Sequence, residues 1–190
     1  MTMILVTPPA SEPVSLAEAK SFLKLDSGDD DTLIDTLIAT ARVALELRTG
    51  RYFVTQAWRY VRDAWPSSRL VSLPASPLIS VNAVTIYDDD GNPTVLPATD
   101  YIVDTASVPP RLKLRSSALA DPGQALNGIE IDLTAGYGTA SDVPAPLKTA
   151  ILQLVAHWYE TREPVAFGDA ASPVPDTVAA LIAPYKLVAL

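Results

Sequence analysis

Ile129-Glu130-Ile131-Asp132-Leu133-Thr134-Ala135 alternates strictly, with Ile129, Ile131 and Leu133 on one side and Glu130, Asp132 and Thr134 on the other. Successive side chains of a strand point to opposite faces, so this spacing predicts a strand with one buried and one wet face, as antiparallel sheets commonly have. Gly136-Tyr137-Gly138 follows, and Pro144 and Pro146 then open a segment in which Leu147, Ala150, Ile151, Leu154, Val155 and Trp158 recur at helical spacing. The period changes from that of a strand to that of a helix within one short stretch. A β part therefore hands over to a helical part here, and the remaining elements are assigned outward from this junction.

Upstream, residues 51–142 read as one β region. Short β-branched and aromatic runs divided by Pro, Gly, Asn and Asp predict strands at Trp58 to Arg62, Leu70 to Leu73, Val81 to Tyr87, Val95 to Leu96, Tyr101 to Val103 and Arg111 to Leu114. Asp88-Asp89-Asp90-Gly91-Asn92 marks a hairpin tip, because Gly and Asn tolerate the positive φ of tight turns. Residues 1–50 form the first helical part. Ser15-Leu16-Ala17-Glu18 has the form of a capping box, and a helix from there to about Leu25 would bury Leu16, Ala19, Phe22 and Leu23. The acidic run Asp29-Asp30-Asp31 opens a second helix, where negative charge meets the positive end of the macrodipole. Leu33, Ile34, Leu37, Ile38, Ala41 and Leu45 form its apolar face, and Gly50 suits a left-handed cap at its end. Residues 143–190 supply the third helix, expected to stop near Glu163-Pro164, then a Pro/Gly/Ala-rich link from Val165 to Pro175. A short last helix with Val178, Leu181 and Ile182 is interrupted at Pro184. The expectation is an α+β protein: a small helical bundle of about four helices from both chain ends, with an antiparallel β domain inserted between them.

The 190 residues are 48% hydrophobic and 19% charged, which supports a real core and argues against wholesale disorder. No apolar stretch approaches the roughly 20 residues of a membrane span. Met1-Thr2-Met3-Ile4-Leu5-Val6-Thr7-Pro8-Pro9 lacks the charged start and long apolar core of a secretory signal. The expectation is a protein that stays in the cytoplasm where it is made, with no membrane partner. A net charge of −8 is ill suited to gripping nucleic acid, whose affinity comes largely from Lys and Arg releasing counterions. An acidic protein can still surround DNA without binding it.

Chemistry is hard to find. Cysteine is absent, which removes disulfides, thiolate ligands and cysteine nucleophiles together. His157 is the single histidine, so a two-histidine metal site cannot exist within one chain. It reads as a surface or boundary residue, and no Gly-x-Ser-x-Gly elbow supports it as a triad base. Asp88, Asp90 and Asn92 alternate like calcium ligands, but Pro93 stands where an EF-hand loop needs glycine and Thr99 where it needs glutamate. Gly136-Tyr137-Gly138 lacks the spacing and lysine of a phosphate loop. No catalytic, metal or cofactor-binding residue is assigned, and no cofactor is expected. Trp58, Tyr60 and Trp65, interleaved with Arg59 and Arg62, admit two readings. One is a stacking platform, which makes a carbohydrate-binding or adhesive β module the rival function. The other is a core or subunit interface, which the acidic charge favours.

Thr134-Ala135-Gly136-Tyr137-Gly138, Val143-Pro144 and Leu147 to Leu154 together resemble a stretch of the head-tail connector (adaptor) proteins of long-tailed bacteriophages and gene transfer agents. Ala180-Leu181-Ile182-Ala183-Pro184-Tyr185-Lys186 resembles the closing helix and Leu-x-x-Pro-Tyr-basic ending of that family, and Val14 to Lys20 its first helix. The resemblance implies a non-enzymatic virion assembly protein at the head-tail junction, assembled in the bacterial cytoplasm as a twelve-fold ring. Its partners would be further copies of itself, the portal protein and the next tail-side stopper or terminator protein, with DNA passing through unbound. The resemblance also places portal contact in the C-terminal segment, Lys186, Leu187, Val188, Ala189 and Leu190. The apolar end Val188, Ala189 and Leu190 either docks on a partner or packs on its own core. Asp29, Asp30 and Asp31 are the candidate acidic cluster facing the lumen.

Overall fold

The computed structural model describes residues 1–116, 121–161 and 175–187. In chain order the elements are β1 (Thr2–Thr7), α1 (Leu16–Leu23), α2 (Asp31–Thr49), β2 (Gln56–Arg62), β3 (Leu70–Ser72), β4 (Leu78–Tyr87) and β5 (Pro93–Val95). They continue with β6 (Tyr101–Asp104), β7 (Arg111–Leu114), β8 (Ile129–Ala135), α3 (Ala145–Glu160) and α4 (Asp176–Ile182). The fold is α+β. It divides into two compact units, Met1–Ala10 with Thr55–Tyr137, and Ser11–Val54 with Gly138–Leu190.

The β unit is built on the alternating stretch. β8 is the central strand of an antiparallel sheet ordered β1-β2-β8-β4-β5. Ile129, Ile131 and Leu133 are fully buried, while Glu130, Asp132 and Thr134 between them are half-buried. Register sets Ile131 between Tyr60 of β2 and Val84 of β4, so the apolar face continues across three strands. A second antiparallel sheet, β3-β7-β6, buries Val71, Leu112 and Leu114. On the wetter face of the first sheet, Arg59 donates to both carboxylate oxygens of Asp132 at 2.7 and 3.0 Å and lies 3.0 Å from Glu130. Glu130 also accepts from the Tyr87 hydroxyl at 3.0 Å. The ladder spans β2, β8 and β4, and its partly solvated pairs each contribute about 1 kcal/mol or less.

β1 has no counterpart in the sequence reading, which placed residues 1–50 with the helices. Thr2–Thr7 instead pairs antiparallel with β2, and the first ten residues belong to the β unit. An edge strand is paired on one side only, and Ile4, Leu5 and Val6 all remain exposed. The run therefore lacks the alternation that a half-buried strand shows.

In the helical unit, Ser15 caps α1 as expected: Glu18 N donates to Ser15 Oγ at 3.2 Å, and Ser15 N donates to the Glu18 carboxylate at 2.7 Å. The helix stops at Leu23, because Lys24 turns left-handed at φ 58. α2 ends at Thr49, with Gly50 left-handed at φ 70. The core is Ala19, Ile34, Ile38, Ala41 and Leu45, with Leu147, Ile151 and Leu154 of α3 and Val178 and Ile182 of α4. α1 packs on α2 and α3, and α3 packs on α2 and α4. Phe22 and Leu33, expected inside, are 46% and 39% exposed. The expected stop of α3 at Glu163-Pro164 and nearly all of the link after it fall at 162–174, outside the described residues.

Burial and the charge of Glu46 push the Tyr52 phenol up to about 12. The folded state therefore holds this proton more tightly than the unfolded chain. The resulting stability is complete below the ordinary tyrosine value of about 10 and is lost as pH rises towards the folded value. Urea titrations between these limits should show falling stability that is blunted in Tyr52→Phe.

Ser15→Ala should cost about 1 kcal/mol at neutral pH by the same measurement. The bonds from Ser15 N and, at 2.7 Å, from Ser15 Oγ hold the Glu18 carboxyl below its ordinary value, and Ser15→Ala removes the second. The stability carried by that carboxylate is present above the ordinary value and fades as pH falls through the folded one. The cost of Ser15→Ala should shrink in acid.

Candidate partner-binding surfaces

The C-terminal segment begins on its own unit. Arg51 Nε donates to Tyr185 O at 2.6 Å, and Leu187 N donates to Thr49 O at 2.9 Å. The Leu187 side chain covers Gly50, where an added Cβ would come within 3.1 Å of Leu187 Cδ1. Gly50 serves twice here, accepting the positive φ of the cap and leaving room for Leu187. Lys186 is exposed, and Val188, Ala189 and Leu190 lie outside the described residues. Leu187 is thus engaged with the end of α2 in its own unit. No local pattern could announce this, since the contact joins residues far apart in the chain.

The acidic run is divided in its roles. Asp31 pairs with Lys20 at 2.7 Å, tying α2 to α1. Asp30 caps α2 by position but makes no side-chain capping bond, and its carboxylate accepts from the Tyr159 hydroxyl of α3 at 2.5 Å. Asp29 is exposed. Two of the three carboxylates therefore hold helices of this unit together, and Asp29 has its charge free for solvent.

The aromatic platform is not open. Tyr60 and Trp65 are 6% and 8% exposed and Trp58 is half-buried. Tyr60 lies on the core face of β2 opposite Ile131, and its hydroxyl accepts from Arg62 Nη1 at 2.9 Å. Sugar or base stacking requires a ring face in contact with solvent, which Tyr60 and Trp65 lack.

The other motifs resolve as turns. Asp88 accepts from the backbone N–H groups of Asp90 and Asn92 at 3.0 and 2.8 Å, closing the loop around Gly91 at φ 82. The hydrogen bond from the Asn92 side chain holds the Asp88 carboxyl below its ordinary value. The Gly-Tyr-Gly stretch leaves β8, and Gly138 packs against Asp142, whose carboxylate accepts from Thr139 N at 2.7 Å. His157 is half-buried on α3 and its carbonyl accepts from Thr161 N at 3.0 Å. Among the described residues no group of three His, Cys, Asp or Glu side chains could hold a metal ion, and no helix is long and apolar enough to cross a membrane.

Residues 13–91 match the family described as phage gp6-like head-tail connector protein. No curated protein matches the chain. Among solved structures, a chain of the virion of a native gene transfer agent particle superposes with a TM-score of 0.81 at 27% identity, covering 100% of this chain and 97% of that one. A chain in the neck of the empty particle, computed with C6 symmetry, gives 0.80 with the same identity and coverage. A chain in the neck of the native particle, computed with C12 symmetry, gives 0.78, again at 27% identity over 100% and 97% of the two chains.

Gly50→Ala puts a Cβ on a left-handed residue and against Leu187. The expected loss is about 1–2 kcal/mol, and carboxypeptidase should trim the chain past Leu187 faster than in the parent protein.

Proposed function

We propose that this chain is a head-tail connector protein, one subunit of an adaptor ring between the portal of a DNA-filled head and the tail. The observation that carries the reading is coverage. The family match ends at residue 91, but the structural match spans 100% of this chain and 97% of a particle chain at 27% identity. Both units therefore have counterparts in one protein of a gene transfer agent particle. Necks computed with C12 and C6 symmetry support a ring of identical copies, a dodecamer in the particle. The ring would stand at the head-tail junction of a phage or gene transfer agent, with the portal on one side and a stopper or terminator protein on the other.

Its work is recognition alone. The net charge of −8 suits a channel that DNA crosses without being held. Of the acidic run, Asp29 is the residue to face that channel, since Asp30 and Asp31 are engaged with Tyr159 and Lys20. The segment from Lys186 to Leu190 supplies portal contact beyond the point where Leu187 is anchored.

The test is to mix the purified protein with portal particles from the same genetic neighbourhood and image the product by electron microscopy. A coaxial ring on the portal is expected, and bare portals of confirmed quality would sink the reading. Deleting 188–190 should abolish docking while leaving the monomer folded. If docking survives that deletion and fails only when 186–190 are removed, the contact lies at Lys186 and Leu187 instead. Asp29→Asn should leave stability unchanged and increase retention of DNA by the assembled ring at low salt.

A further inference from the structure

α2 is apolar on two sides. Leu33, Thr36, Thr40, Val43 and Leu47 recur at alternating intervals of three and four, the spacing of a helix-packing seam. At 3.6 residues per turn they lie opposite the buried Ile34, Ile38, Ala41 and Leu45. Val43 and Leu47 are 45% and 80% exposed. The two threonines do not make the stripe hydrophilic: Thr36 Oγ1 donates to Thr32 O at 2.9 Å and Thr40 Oγ1 to Thr36 O at 2.7 Å, so both hydroxyls turn back on their own helix. With Ala39 and Ala44 alongside, Thr40, Val43 and Leu47 line a shallow apolar trough.

A second and different apolar surface lies on the α1 edge of the same unit. Phe22 stands out from α1 beside a shallow groove formed with Ala17, Glu18, Ser21 and Leu152 of α3. The groove at this edge and the trough on the α2 stripe share no lining residue, so they are distinct faces. The rims carry opposite charges: exposed Asp35 and Arg48 flank the stripe, and exposed Glu18 lies in the first turn of α1 with exposed Lys24 just past its end. An antiparallel approach of the two helices brings Arg48 towards Glu18 and Asp35 towards Lys24.

A cyclic ring joins unlike faces of identical copies, so each subunit must carry two different patches that fit each other. Resting on the connector reading above, we propose that the α2 stripe is the face between neighbouring subunits of the ring. Its occupant is the α1 edge of a second copy, with Phe22 of one subunit seated over Ala39, Val43 and Ala44 of the next. The necks with C6 and C12 symmetry that contain similar chains place like copies side by side, which supports a second copy as the occupant.

The chain has no cysteine, so introduced thiols report only on themselves. Leu47→Cys and Ser21→Cys are both at exposed positions. Rings assembled on portal particles would be treated with a short bismaleimide and resolved under denaturing conditions. The double variant should give a ladder reaching the full ring, an equal mixture of the two single variants should give dimers only, and each single variant alone should stay monomeric. Efficient dimers from Leu47→Cys alone would mean that like faces meet, and would overturn the assignment. Rings visible by microscopy without a ladder would overturn this surface and leave the connector reading standing. Absence of rings with the parent protein would remove both. As an independent measurement, Leu47→Asp should lower ring occupancy roughly tenfold with unfolding unchanged; undiminished occupancy would count against the stripe.

Discussion

A carboxylate removed from water is stable as an ion only if its oxygens are bonded, and Glu46, 7% exposed, meets that condition with groups from separate parts of the chain. One oxygen accepts from Arg42 at 3.0 Å one turn earlier in α2, and the other accepts from Phe53 N at 2.8 Å. Arg42 reaches on to Glu12 at 2.7 and 3.2 Å. One buried charge therefore fixes the approach to α1, the body of α2 and the turn after it, where Phe53 is fully buried. Ser11 and Val54, the points at which the chain enters and leaves the helical unit, lie next to these fixed residues. The anchoring of Leu187 over Gly50 depends on the same end of α2 being held in place.

What the sequence made legible was the part governed by local repetition. Ile129 to Ala135 gave its strand and both its faces, Ser15 and Glu18 their capping box, and Gly50 its left-handed cap, because each is decided by residues a few positions apart. Phe22 and Leu33 were assigned to the core because a helical period shows that a residue is apolar but not which of two apolar faces it joins. Thr2 to Thr7 passed unrecognised because an edge strand with several exposed apolar residues does not alternate. The division of labour within Asp29, Asp30 and Asp31 was equally hidden. Their partners Lys20 and Tyr159 are set by packing, and a run of identical residues cannot indicate which member reaches which helix.

The same reasoning explains why function here had to be read from surfaces. The groups that first suggested chemistry are each occupied in shaping the fold: Asp88 closes a hairpin, Asp142 closes the turn beyond Gly138, and Tyr60 fills the core of a sheet. What remains available is shape and charge. Under the proposed connector role these are the properties that matter, since a ring subunit must match its neighbours and a channel that DNA crosses must not hold the polymer passing through it.

The first strand has a consequence for how the chain is made. Synthesis proceeds from the N-terminus at about 5–20 residues per second. β1 must wait for β2, and β2 for β8, whose Ala135 pairs back to Gln56. The helices α1 and α2 wait longer, for α3. Neither unit has all its parts until most of the chain has left the ribosome, and such long-range closure is slow compared with local helix formation. A polypeptide released before β8 completes neither unit. A chain released at that stage is an unfolded polypeptide open to proteases, with no finished sheet face and no finished helical face to offer a partner.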